Sequence, residues 1–215
     1  MKIIMINGSQ KTGGSNSGII LERLDSVIKE KHKTETYKPG AGSFSDETFK
    51  KIVSGEVIVL AFPLYIYSVP SRTLETLMKL EDAVKRERAN NIIMYTVINC
   101  GFYEGRQCDT AFRIIENWCA RAGVVFGGGI GQGAGEMLGQ IKNVPLDKGP
   151  FANLARALQN MADKMELKEK IGIAYLSPYF PRFLWKLMAT RSWNQKARDD
   201  GLSKKEMLRS EFNDD

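Results

Sequence analysis

Residues 7–18, NGSQKTGGSNSG, gather hydroxyl, amide and ammonium donors between the apolar run KIIMI and the helix-like segment IILERLDSVIKEK. A Gly- and Ser-rich turn that opens a helix leaves backbone N–H groups unpaired at the positive end of the helix dipole, an arrangement suited to an anion. Spacing discriminates between the known phosphate loops. Gly8 and Gly13 match the start of a Walker A loop, but Gly14 stands where that motif requires lysine. The dinucleotide fingerprint fails at Gln10, the place of its second glycine. The remaining donors, Ser9, Lys11, Thr12, Ser15, Asn16 and Ser17, suit the three free oxygens of a terminal monophosphate, the group FMN carries. An ordinary N-cap and turn would use the same residue types.

Two more stretches share this chemistry-bearing character. In PLYIYSVPS, residues 63–71, Pro63, Leu64, Tyr65, Ile66 and Tyr67 place an apolar and aromatic surface at a strand end, a bed for a flat ring. Packing against a neighbouring subunit explains those aromatics equally well. In NCGFYEG, residues 99–105, Asn99, Cys100 and Gly101 offer small side chains and backbone donors to a ring's polar edge. The glycines of GGGIGQGAG, residues 127–135, contain a permissive G-x-G-x-x-A pattern, yet EMLGQIKNVP continues it poorly as a helix. A loop bordering the pocket is the better reading.

Other chemistries lack residues. The three cysteines, Cys100, Cys108 and Cys119, have no C-x-x-C spacing, and the one histidine, His32, lies in the polar KEKHKTE. Neither a metal site nor a histidine-based acid–base site is expected.

Alternating elements must position these loops. Strands are predicted at 2–7, 34–38, 56–62 and 90–99 and in VVFGGGIG; helices are predicted at 16–31, 46–54, from Pro70, through Phe112–Ala122 and at 150–166. Apolar strands alternating with amphipathic helices specify a parallel sheet covered on both faces, whose ligands sit at the carboxyl ends of the strands. The 215 residues suffice for one such domain with an appendage. The longest apolar stretch, VIVLAFPLYIY, is too short to span a membrane, and no signal peptide is expected, so the cytoplasm is the expected compartment. The formal charge is +6, but residues 181–209 hold eight Lys or Arg against three acids. Basicity therefore belongs to the tail and gives no argument for nucleic-acid binding.

NGSQKTGGSNSG, AFPLYIYSVPSRTLETLMKLE and NCGFYE together resemble the NAD(P)H-dependent FMN reductases of the flavodoxin-like proteins, over residues 1–165. The resemblance implies a five-stranded parallel sheet of order 2-1-3-4-5 with helices on both faces and FMN at its carboxyl ends. It implies Ser9, Lys11, Ser15, Asn16 and Ser17 around the phosphate, Pro63, Leu64, Tyr65 and Ile66 against the isoalloxazine, and Asn99, Cys100 and Gly101 at its pyrimidine side. Some relatives carry an iron–sulfur cluster on closely spaced cysteines that this chain lacks. The implied activity is hydride transfer from NADH or NADPH to FMN, then onward to a quinone, a nitro or azo compound, free flavin or another acceptor. No catalytic residue is assigned, because the flavin performs the chemistry. The alternatives are an electron-carrier flavodoxin reduced by a partner protein and a flavin-binding regulatory module without turnover.

A domain over 1–168 and a basic, aromatic helical extension over 169–215 are expected, with a homo-oligomer, most simply a homodimer. In the extension, Pro181 starts one helix and Ser203 with Glu206 forms a capping box for another. The favoured role for its apolar residues is packing on protein; the alternative is contact with a membrane surface.

Overall fold

A computed structural model describes residues 1–39, 43–141, 144–203 and 206. Six parallel strands form one sheet: β1 (Lys2–Asn7), β2 (Lys33–Tyr37), β3 (Val57–Pro63), β4 (Ile93–Asn99), β5 (Val125–Gln132) and β6 (Ile173–Leu176). Their order is β2-β1-β3-β4-β5-β6. The expected 2-1-3-4-5 order holds, but the expectation of five strands is corrected to six. The sixth lies within the expected extension, because IAYL is too short to announce a strand alone. Pairing with β5, Gly129 to Ile173 through Gln132 to Leu176, gives those four residues their ladder.

The helices are α1 (Asn16–Ile28), α2 (Asp46–Val53), α3 (Ser71–Arg86), α4 (Asp109–Ala122), α5 (Glu136–Gln140), α6 (Ala152–Glu166) and α7 (Arg182–Asp199). Local chemistry sets their ends. Ser15 caps α1 by accepting from the Gly18 N–H, and Ser45 caps α2 by accepting from the Thr48 N–H. Gly123, at φ 73°, takes the left-handed conformation that closes α4. Strands β1, β3 and β4 are buried along almost their whole length, as a sheet covered on both faces requires. The glycines at the start of the GGGIGQGAG stretch lie in β5 rather than in a loop. A Cβ at Gly129 would stand 2.5 Å from the Phe112 ring, so this strand gives up side chains to admit the aromatic core of α4.

The chain divides into two compact units, Met1–Tyr179 and Phe180–Asp215. The first holds the sheet and α1 to α6. The second contains α7, which starts directly after Pro181. In the same unit the Ser203 N–H donates to a Glu206 carboxylate oxygen (2.8 Å) and the Glu206 N–H to the Ser203 hydroxyl (3.2 Å). That is the expected capping box; the body of the helix it would start lies outside the described residues. Among the described residues, no helix is long and apolar enough to cross a membrane.

Candidate functional site

β1 ends at Asn7, where the chain must turn from the sheet into α1. The Gly8 N–H is held by the Ala61 carbonyl of β3 (2.7 Å), and the Thr73 hydroxyl of α3 donates to the Gly8 carbonyl (3.0 Å). A Cβ at Gly8 would lie 2.7 Å from that hydroxyl, so the glycine is a packing requirement of the turn. The buried Asn7 organises the loop: its Oδ1 accepts from the Ser9 N–H (3.1 Å), and its Nδ2 donates to the Ser15 hydroxyl (3.2 Å). Lys11, Thr12, Gly13 and Gly14 form the exposed crest. From the end of β2, Lys38 donates to the Lys11 and Gly13 carbonyls, which brings a second lysine to the loop.

The expected phosphate donors separate into two groups. Lys11 is exposed and Asn16, the first residue of α1, is half-buried; both border the open side of the loop, with Ser9 buried at its base. Ser15 and Ser17 are used within the protein. The Ser15 hydroxyl accepts from the Gly18 and Asn7 nitrogens, and the 1 % exposed Ser17 donates to Asn99 Oδ1 at 2.7 Å. Their hydroxyls build the loop, Ser15 taking up the Gly18 N–H of the first helical turn.

The Ser17–Asn99 bond ties this loop to the end of β4. Asn99 is also the anchor of the third loop, because its carbonyl accepts from the Leu64 N–H (2.8 Å). Leu64 is buried beneath a turn in which Tyr65 and Ser68 exchange backbone hydrogen bonds of 3.1 and 2.9 Å. The two central residues, Ile66 and Tyr67, take φ of 47° and 60°. These are the left-handed values of a tight hairpin turn, which favours Asn-Gly; a β-branched residue there is strained. Ile66 is nevertheless 95 % exposed at the tip, with Pro63, Tyr65 and Tyr67 on the shoulders.

Beyond Asn99, Cys100 is strapped on both sides: its N–H donates to Gln132 (2.9 Å) and its carbonyl accepts from Gly135 (2.7 Å). Its thiol turns into its own loop, towards the Phe102 and Glu104 carbonyls. Cys100 therefore presents backbone rather than sulfur to the mouth, where Gly101 is exposed. A hydrogen bond from Cys108 lowers the Cys100 thiol below its ordinary range; that contact, with burial, pushes Cys108 up. Burial raises Cys119 to about 12.

Three contributors stand outside the expected site residues. Phe102 stacks on Tyr67 at 4.8 Å between centroids and 25° between planes, joining the second and third loops in one aromatic wall. Glu136, opening α5, has a carboxylate oxygen 3.5 Å from where a Gly101 Cβ would stand. Lys38 is the third, and the strand order could have found it, since the residue after β2 must fall beside the loop after β1.

The fold has counterparts among solved structures. An NADPH-quinone reductase from P. pentosaceus aligns with a TM-score of 0.56 and 15% identity, over 75% of this chain and 97% of its own. A WrbA-like flavodoxin from Agrobacterium tumefaciens aligns at 0.54 and 9% identity, over 77% and 98%. A Trp repressor binding protein from Bacillus subtilis aligns at 0.52 and 14% identity, over 61% and 83%. The fold is flavodoxin-like. No family model and no curated protein matches the sequence. In the flavodoxin-like sheet the strand order reverses between β1 and β3, and ligands of open α/β sheets gather at such a reversal. The loops after β1, β3 and β4 are those joined here by Asn99.

Proposed function

We propose that the chain is an FMN-dependent oxidoreductase that takes hydride from NADH or NADPH and delivers electrons to a quinone, a nitro or azo compound, free flavin or a similar acceptor. One observation carries this reading: three donor-bearing and aromatic loops meet at the sheet's reversal point and are tied together through Asn99. The donor set fits FMN. Lys11, Lys38 and the positive end of the α1 dipole match a dianionic monophosphate, and the Pro63–Tyr67 turn with Phe102 matches a flat ring. When bound, the isoalloxazine supplies the redox chemistry, accepting hydride and passing electrons on.

The protein's own tasks are binding and orientation. Asn7, Ser15 and Lys38 hold the phosphate loop in register, and Ser17 fixes its distance from the ring-side backbone of Asn99 and Gly101. The Glu136 carboxylate beside Gly101 disfavours negative charge building up at that edge. The likeness in fold to a protein named an NADPH-quinone reductase supports the flavin-enzyme reading.

Anaerobic mixing of FMN-loaded protein with NADH and, separately, NADPH tests the activity. Bleaching of the flavin within seconds by at least one of them is expected. Flavin that both nucleotides leave oxidised for hours, while dithionite reduces it, would favour an electron carrier served by a partner protein.

A further inference from the structure

Cys100 directly follows β4, and Cys108 closes the tight turn Gly105–Cys108 that leads into α4. The chain between them folds back over the end of β5. Cys100 donates its N–H to the Gln132 carbonyl (2.9 Å), and a Cβ at the preceding Gly131 would stand 3.3 Å from the Cys108 Cβ. One short stretch of β5 therefore holds both cysteines. Gly105, between them, has no room for a side chain, since its Cβ would lie 2.6 Å from the Leu176 carbonyl oxygen of β6. The loop is pressed onto the sheet.

Both thiols are buried and free, and both use carbonyls of this segment. Cys100 Sγ lies 3.7 Å from the Phe102 oxygen and 3.6 Å from that of Glu104, and Cys108 Sγ lies 3.8 Å from the Ile98 oxygen. The two sulfurs also hydrogen-bond to each other. Sulfurs already in such contact have only to close to the ~2.05 Å of a disulfide bond. Cys119 stands apart in the core, its sulfur 4.0 Å from that of Met94. The shared contact also separates the pair in acidity. The hydrogen bond from Cys108 holds Cys100 below the ordinary thiol range, and the same bond with burial raises Cys108. The nucleophilic thiolate therefore forms at Cys100, beside a thiol that keeps its proton.

We propose that Cys100 and Cys108 are a peroxide-responsive dithiol, which a hydroperoxide converts to an intramolecular disulfide across the loop that carries Gly101 and Phe102. The Cys100 thiolate attacks one peroxide oxygen and the O–O bond breaks. The departing hydroxide takes up the proton that Cys100 had released, and a sulfenic acid is left on Cys100. The Cys108 sulfur then attacks the Cys100 sulfur, the S–O bond breaks, and hydroxide leaves with the Cys108 proton as water. In sum, two thiols are oxidised by two electrons and one hydrogen peroxide is reduced to two waters. The step needs no flavin, so its outcome does not depend on whether FMN binds.

The test treats the full-length protein with excess hydrogen peroxide, removes the peroxide with catalase, and alkylates with iodoacetamide in denaturant. Untreated protein should take three labels per chain and treated protein one, on Cys119; dithiothreitol should restore all three. Trypsin cuts at Arg106, so the cross-link should appear as two joined peptides, one bearing Cys100 and the other Cys108. Cys119→Ser should cross-link as the parent does. In Cys108→Ser the sulfenic acid at Cys100 should persist and be captured by dimedone, whereas Cys100→Ser should give no adduct. The proposal is overturned if treated protein keeps three labels, if the lost labels do not return with dithiothreitol, or if the linkage involves Cys119 or a second chain. A dimedone adduct at Cys108 in Cys100→Ser would also overturn it. Should a serine variant fail to fold, the label count and peptide map of the parent decide alone.

Discussion

Ser17 and Asn99 stand 82 positions apart in sequence, yet a 2.7 Å hydrogen bond between two buried side chains sets the spacing of two loops. Ser17→Ala leaves an Asn99 oxygen short of its donor, at a cost of ~1–3 kcal/mol. We expect FMN affinity to fall about five- to tenfold in a protein that still folds, measured by flavin fluorescence quenching; unchanged affinity would show that the tie does not position the site. Ser15→Ala acts differently, because that hydroxyl caps α1, and should lower stability by about 1 kcal/mol. The cysteines give a pH-dependent expectation. The Cys100 thiol is lowered by its contact with Cys108, whereas Cys108 and Cys119 are raised, so the thiolate at Cys100 forms first as pH rises. Alkylation of the native protein between pH 7 and pH 9 should label Cys100 ahead of the other two, as read by peptide mass; equal labelling would contradict that order.

At the scale of elements, α3 and α4 are joined through Glu81, which binds Lys85 of its own helix and accepts from Arg121 Nε (2.9 Å) and Nη2 (2.7 Å). Hydrogen bonding from Lys85, then from Arg121, holds this carboxyl below its ordinary range. A lowered folded-state pKa means that the stabilisation is present above the unfolded carboxylate pKa of about 4.3 and is lost as pH falls through the folded value. Glu81→Gln should therefore cost about 1 kcal/mol at pH 7, a modest figure because Arg121 is largely exposed, and the gap to the parent should start to narrow below about pH 4.3 and vanish once the pH is below the lowered folded value. A gap that persists there in urea unfolding would mean that packing, not charge, carries the effect.

Most of these elements are legible in the sequence because each repeats one signal several times: β3 and β4 are unbroken apolar runs, and α4 carries Phe112, Ile115 and Cys119 on one face and closes at Gly123. The loops after β1, β3 and β4 are legible as chemistry because donors and aromatics stand where a sheet ends. What the sequence hides is relational. That Ser15 and Ser17 face inward depends on Asn7 and Asn99, that Phe102 serves the site depends on its stack with Tyr67, and that IAYL is a strand depends on a neighbour supplying its ladder.

For the whole molecule, the placement of β6 distinguishes two truncations. A chain ending at Tyr179 retains every residue of the three-loop cradle. One ending at Glu169 also loses β6, the Leu176 carbonyl that holds the Gly133 N–H, and the Tyr175 hydroxyl that donates to Asp109. The longer fragment should load with FMN as the full chain does, whereas the shorter should melt roughly 10 °C lower, corresponding to about 3 kcal/mol for a chain of this size. Equal melting temperatures would contradict a structural role for β6. The turn bearing Tyr65, Ile66 and Tyr67 leaves three large apolar side chains exposed, and we propose that it serves a homodimer. Sedimentation should then give twice the chain mass, and Ile66→Asp should shift it to monomer; a parent that sediments as a monomer would rule this out.

If the loop after β1 holds a monophosphate, the protein must distinguish FMN from riboflavin, since the two ligands differ by that group alone. Titration followed by flavin fluorescence should give one FMN per chain and riboflavin bound about 100-fold more weakly, the equivalent of two charge-assisted hydrogen bonds of ~1.5 kcal/mol each. Equal affinity for the two flavins, or no saturable binding of FMN, would contradict the assignment.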